Sequence, residues 1–243
     1  MIKSKLSERL TKIAGFVPRG HVVADIGTDH ALLSIYLVLE GISSQVIASD
    51  LSTGPLSSAR ANVYLYKLEK SIEIRQGDGL EAISPGEADV IIIAGMGGAK
   101  IIEILEGSHA VLDGVVRIIL QPQGGAGMVR RWLFDHHWQI VDEELVLEHD
   151  NYYEIIVSEP SPGPKVNDID KKLSRREMEL LEIGPCLLEK EHPLLIPFLQ
   201  EKIKLAKNIL ISLRHARTPA ARMMRQEWRR KILLFRRIID NVS

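Results

Sequence analysis

The chain has 243 residues, 45% of them hydrophobic, enough for a sizeable core. No run approaches the roughly 20 uninterrupted apolar residues of a membrane span, and the opening Met-Ile-Lys-Ser-Lys-Leu-Ser lacks the apolar segment of a secretory signal. One cysteine, Cys186, excludes an intramolecular disulfide and leaves no set of thiolate ligands for a metal, so a cytoplasmic protein without a metal or a membrane partner is expected.

The net charge of −1 hides an asymmetry. Residues 171–243 carry 17 Lys+Arg against 8 Asp+Glu, while residues 1–170 carry 14 against 24. A basic end on an otherwise acidic chain points to a polyanionic partner there.

Leu6, Leu10 and Ile13 stand at helical spacing and predict a helix within the first 16 residues. Strands and helices then alternate. Strands are predicted at His21–Ile26, Gln45–Ser49 (ending at Asp50), Ile72–Arg75, Asp89–Ala94 and Arg117–Leu120. Helices are predicted at Ala31–Leu39, Pro55–Tyr66, from the Gly95–Gly98 cluster through Leu105, and at Met128–His136. Such alternation is the signature of a doubly wound α/β sheet, and Val90–Ile93 suits a strand buried on both faces. Trp138–Leu147 and Tyr152–Val157, joined by Glu148-His149-Asp150-Asn151, then read as an antiparallel hairpin. Five parallel strands closed by such a pair have the layout of a class I, Rossmann-like methyltransferase sheet.

Residues 159–169 hold three prolines and a glycine and mark a linker, giving an α/β domain over 1–160 and a helical domain over 161–243. In the second, Leu199, Ile203, Ala206, Leu210 and Leu213 form one apolar seam. Trp228, Ile232, Phe235, Ile239 and Val242 form another. A break at Arg217-Thr218-Pro219 predicts a coiled-coil-like antiparallel pair. Arg222, Arg225 and Arg229 lie off the seam and are candidates for nucleic-acid phosphates.

Four segments fall at the carboxyl ends of predicted strands, where open α/β sheets bind ligands. Asp25 and Gly27 close the first, where glycine admits close backbone approach. Asp50 closes the second, where a carboxylate accepts both ribose hydroxyls, in NAD enzymes as well as in methyltransferases. Gly77 and Asp78 follow the third, where Asp78 can accept from an adenine amine. Ala94, Gly95 and Met96 close the fourth, with glycines against which a ligand can press. The missing Gly-x-Gly-x-x-Gly fingerprint disfavours a dehydrogenase. Adjacent His136 and His137 diverge on a helix and offer no metal site.

The stretches SERLTKIAGFVPRG, ADIGTDHALLSIYL, IRQGDGL and IIIAGMGG resemble the bacterial tRNA adenine-22 N1-methyltransferases, the TrmK family. The likeness runs in order over residues 4–157, and the basic tail fits. It implies methyl transfer from S-adenosylmethionine to N1 of adenine 22 of tRNA, and a class I fold with a C-terminal coiled-coil domain. It places Asp25, Gly27, Asp50, Asp78, Gly95 and Met96 against the cofactor. Thr28 stands where the family often has Ser, which keeps the hydroxyl.

N1 of adenine carries its own lone pair, so the reaction is mainly a problem of orientation, with positive charge gathering on the base. Asp29 is the candidate carboxylate to stabilise that charge and take the N6 proton, and His30 the candidate to position base or cofactor; capping of the following helix is the structural alternative for Asp29. Arg9 is a candidate for a phosphate or the methionine carboxylate, and Gln121 for the adenine edge. A tRNA-acting monomer is expected; the alternatives are a non-catalytic RNA-binding protein and a methyltransferase of a protein or small molecule.

Overall fold

The computed structural model describes residues 6–162 and 173–242. The chain forms two compact units, Met1–Lys172 and Leu173–Ser243. Residues 163–169 of the expected linker lie outside the described residues, as does the start of the expected first helix.

The first unit opens with α1 (Glu8–Gly15), capped by the Ser7 hydroxyl, which accepts from Leu10 N. There follow β1 (Val23–Ile26), α2 (Leu32–Leu39), β2 (Val46–Asp50), α3 (Thr53–Leu65) and β3 (Ile72–Gln76). After them come β4 (Val90–Met96), α4 (Gly98–Glu106), α5 (His109–Leu112), β5 (Arg117–Pro122) and α6 (Ala126–Asp135). The hairpin β6 (Trp138–Glu148) and β7 (Asn151–Pro160) closes the sheet. The strand order is β3-β2-β1-β4-β5-β7-β6, with β7 antiparallel to both β5 and β6.

Because β1 has β2 on one side and β4 on the other, the order reverses between β1 and β4. That crevice is where ligands bind in open sheets. Val90, Ile91, Ile92 and Ile93 are wholly buried, since helices cover both faces. Ile13, Leu33, Ile35 and Val63 from α1–α3 pack on one face, and Ile101, Leu105, Val129 and Leu133 from α4 and α6 on the other. Each fully buried Ile or Leu contributes about 1.5–3 kcal/mol of transfer free energy.

Three local predictions are corrected. The hairpin connection is shorter than the expected four residues: only His149 and Asp150 turn the chain, both at positive φ (48° and 63°). That is the backbone a two-residue hairpin requires to match strand twist. Gly95 and Met96 belong to β4 and not to a loop beyond it; the register with β5 shifts between Ala94 and Met96, a bulge with Gly95 at φ 80°. Asp29 does not cap α2, because Ala31 precedes the helix at φ 53° and no side chain caps it.

The second unit holds α7 (Arg175–Ile183), α8 (Pro185–Glu189), α9 (Leu195–Ser212) and α10 (Pro219–Val242). Ser174 and Glu177 form a capping box on α7. Leu199, Ile203 and Ala206 of α9 and Ile232 and Phe235 of α10 are buried, as the seam predicts, whereas Val242 is exposed. The two helices pack together, with Pro219 opening α10, where its missing N–H costs nothing.

Candidate active site

Four turns at the carboxyl edge of the sheet carry the expected cofactor residues. In the first, Asp25 is buried and its Oδ2 accepts from Thr28 Oγ1 at 2.8 Å and Ser34 Oγ at 2.7 Å. Burial pushes the carboxyl above its ordinary value, and the Ser34 and then the Thr28 hydroxyl oppose that rise. The Gly27 and Thr28 amides both donate to Ser49 O, with Gly27 at φ 76°. Only glycine takes that conformation without strain.

A folded-state carboxyl with a raised pKa binds its proton more tightly than the unfolded chain does. Stability therefore falls as pH rises from the ordinary value of 3.8 up through the raised one, and the loss is complete above it. Asp25→Asn has no such carboxyl. Urea denaturation from about pH 4 to about pH 7 is expected to show wild-type stability declining against the variant's as pH rises. A parallel pair of curves refutes the desolvation argument.

Asp50 ends β2 half-exposed, with Oδ1 accepting from Ser52 N at 2.7 Å. Gly77 sits so close to the next turn that a Cβ would lie 2.8 Å from Ala82 Cβ. Asp78 is 3.2 Å from Lys100 Nζ, an ion pair 22 residues apart that no local spacing discloses. Glu103 and Asp78 together raise the Lys100 pKa.

In the fourth turn, Met96 reaches across the switch point. Its Cε fills the space that a Cβ on Gly27 would need, so the thioether rests against the glycine backbone of the first turn. Ala94 pairs with Gln121 across the β4–β5 ladder. Gly97 and Gly124 have open space at their Cβ positions, whereas a Cβ on Gly98 would meet Gly124 O at 2.7 Å and Gly125 O at 2.9 Å.

These residues fit S-adenosylmethionine. Asp50 ends β2 and Asp78 follows the adjacent β3, and bare backbone with polarizable Met96 lies at the switch point.

Asp29 is exposed, and its Oδ2 lies 3.3 Å from His30 Nε2. The His30 carbonyl accepts from Asn62 Nδ2, which ties that residue to α3. Arg9 and Gln121, 112 residues apart, meet: Arg9 Nη1 donates to Gln121 Oε1 at 2.6 Å. The guanidinium also lies 5.2 Å from the centre of the Tyr153 ring, and Arg9 N donates to Glu148 Oε2. Arg9 is thus held by protein groups, and Tyr153 is a neighbour that its own sequence context did not single out.

In the second unit Arg222 and Arg229 are exposed. Arg225 is half-buried and donates to the carbonyls of Leu213 and Ala216, both at 2.7 Å, where α9 ends. A cation there adds to the capping of the helix end, where Leu213 O also accepts from Ala216 N, and complements the helix dipole. Among the described residues no three His, Cys, Asp or Glu side chains gather as metal ligands, and His136 instead stacks on Trp132.

Residues 6–156 match the methyltransferase domain family. The chain is 46% identical over 159 residues to the tRNA (adenine(22)-N(1))-methyltransferase of Bacillus subtilis, covering 65% of this chain and 67% of that protein. The B. subtilis m1A22 tRNA methyltransferase TrmK has the same fold, with a TM-score of 0.82 and 35% identity over 97% of this chain and 99% of that one. A Streptococcus pneumoniae tRNA (m1A22) methyltransferase candidate, solved with S-adenosyl-L-methionine, superimposes with a TM-score of 0.81 and 34% identity over 96% of this chain and 99% of its own.

Proposed function

Since the chain belongs to the tRNA (adenine(22)-N(1))-methyltransferase family, we propose that it transfers the methyl group of S-adenosylmethionine to N1 of adenine 22 in tRNA. The observation that carries this reading is the meeting of Met96 with Gly27 at the switch point, with Asp50 ending β2 and Asp78 just beyond β3. When bound, the cofactor supplies an electrophilic methyl group. Asp50 takes the ribose hydroxyls and Asp78 the adenine amine. Asp25 holds the turn through Thr28 and Ser34, and the backbone of Gly27, Gly77, Ala94 and Gly95 together with Met96 lines the cofactor's path.

On the acceptor side, Asp29 stabilises the positive charge that gathers on adenine and takes the N6 proton afterwards. His30, 3.3 Å away, orients that carboxylate. N1 lies on the pairing edge, so the base must be unpaired or flipped. No helix among the described residues is long and apolar enough to cross a membrane. A cytoplasmic monomer working on tRNA is the form we adopt.

The test is transfer from radiolabelled S-adenosylmethionine to an unmodified tRNA transcript, followed by nucleoside analysis. Label in 1-methyladenosine that disappears when position 22 is changed to guanine is the expected result. Absence of label from a protein that binds the cofactor overturns the reading in favour of an RNA-binding protein.

The basic unit, residues 161–243 in this reading, holds tRNA through exposed Arg222 and Arg229, with Arg225 fastening the end of α9. Arg222→Glu with Arg229→Glu is expected to weaken tRNA binding at least ~10-fold. It should also lower the salt slope of log K by about one for each phosphate no longer neutralised. Cofactor affinity should stay unchanged, and an unaltered salt slope removes these residues from the interface.

A further inference from the structure

Gln121 is fully buried, and its two amide atoms are unequally served. Oε1 accepts from Arg9 Nη1 at 2.6 Å. Nε2 is a buried atom with no hydrogen-bond partner among the described residues. The assignment is chemically forced: a guanidinium only donates, so the atom it touches is the oxygen, and the other atom is the NH2 donor. A buried donor left unsatisfied costs about 1–3 kcal/mol, a cost that a ligand acceptor would recover.

The place of this donor in the sheet says which ligand. Gln121 lies near the carboxyl end of β5, beside Ala94 of β4, and on the face it shares with Ile119 and Tyr153. In the strand order β3-β2-β1-β4-β5, Asp78 follows β3 and Asp50 ends β2. A cofactor with its adenosine on that side carries its sulfonium towards β1 and β4. The next strand, β5, then lies on the acceptor's side of the transferring methyl.

We propose that Gln121 orients the acceptor adenine by donating from Nε2 to one of its ring nitrogens other than N1, and that Arg9 is the positioning residue that turns the amide this way. N1 must keep its lone pair for the methyl, and N6 is itself a donor, so N3 and N7 are the acceptors that remain. The proposal rests on the adenine-methylating function above.

The test uses the full chain. Gln121→Glu keeps an oxygen for Arg9 but removes the donor. Its turnover on tRNA is expected to fall about 100-fold, the scale of a misplaced reacting group, with cofactor Kd by calorimetry within about twofold of wild type. Arg9→Met should fall comparably and Arg9→Lys, which still donates, much less. Transcripts carrying 3-deazaadenosine or 7-deazaadenosine at the target identify the atom: on one of them wild type should lose at least ~10-fold more rate than Gln121→Glu does.

Wild-type turnover by Gln121→Glu, full wild-type rate on both analogues, or equal analogue losses in the two proteins each overturn the proposal. So does a loss confined to cofactor affinity, which would assign the donor to the methionine carboxylate. A wild-type protein that labels no tRNA sinks the underlying function and this assignment with it, whereas an active wild type beside an unaffected Gln121→Glu sinks the assignment alone.

Discussion

Replacing Arg130 with alanine is expected to cost about 3–5 kcal/mol of stability, read as a lower urea midpoint at unchanged slope. Arg130, on α6, is fully buried. Its Nε donates to Glu143 of β6 at 2.5 Å and its Nη2 to Glu154 of β7 at 2.8 Å. Burial alone would lower the guanidinium pKa, but the two carboxylates more than offset this and hold it above its ordinary range. Removing the cation leaves two carboxylates buried side by side, and that repulsion sets the size of the loss. The variant Arg130→Met, Glu143→Leu, Glu154→Leu should recover most of it, because the desolvation cost of all three charges disappears together. A loss below about 1 kcal/mol for Arg130→Ala would mean that water reaches the cluster.

The second large effect is expected at Gly98. A methyl there would press on the carbonyls of Gly124 and Gly125, with Gly98 N already bonded to Gly124 O at 2.9 Å. Backbone atoms on both sides cannot step aside as a flexible side chain can. Gly98→Ala should therefore cost about 1–3 kcal/mol, and by separating the carboxyl ends of β4 and β5 it should cut methyl transfer by ~10–100-fold. Its neighbour is the control. Gly97 has φ −65° and open space at its Cβ position, so Gly97→Ala should unfold within about 0.5 kcal/mol of wild type. Equal stabilities of the two variants would refute the packing argument.

Much of the candidate site was legible because its residues announce themselves through backbone chemistry. Asp25 and Asp50 follow short apolar runs, Asp78 follows a glycine just beyond β3, and Gly27, Gly77 and Gly95 stand where a strand must turn or bulge. These are local signals, readable from neighbours in the chain. The capping role weighed for Asp29 failed at the same scale, because Ala31 takes the left-handed conformation that precedes α2, a choice no propensity rule assigns to alanine.

Side-chain partners at long separation were not legible. Arg9 with Gln121, Lys100 with Asp78 and Arg130 with Glu143 and Glu154 each join residues from different elements. In the second unit the apolar spacing marked α9 and α10, but it could not separate Arg225, spent on the carbonyls of α9, from Arg222 and Arg229, which face solvent.

Local pattern was enough for the alternation of strands and helices, the closing hairpin, the order of the four turns at the carboxyl edge and the sign of charge at each end. Periodicity, glycine placement and composition are properties of neighbouring residues and survive without a fold. Which polar groups are paired, and which buried donor is left over, as at Gln121, follows from the fold alone. Hydrogen bonds and desolvation depend on distances that the sheet order sets between residues far apart in the chain.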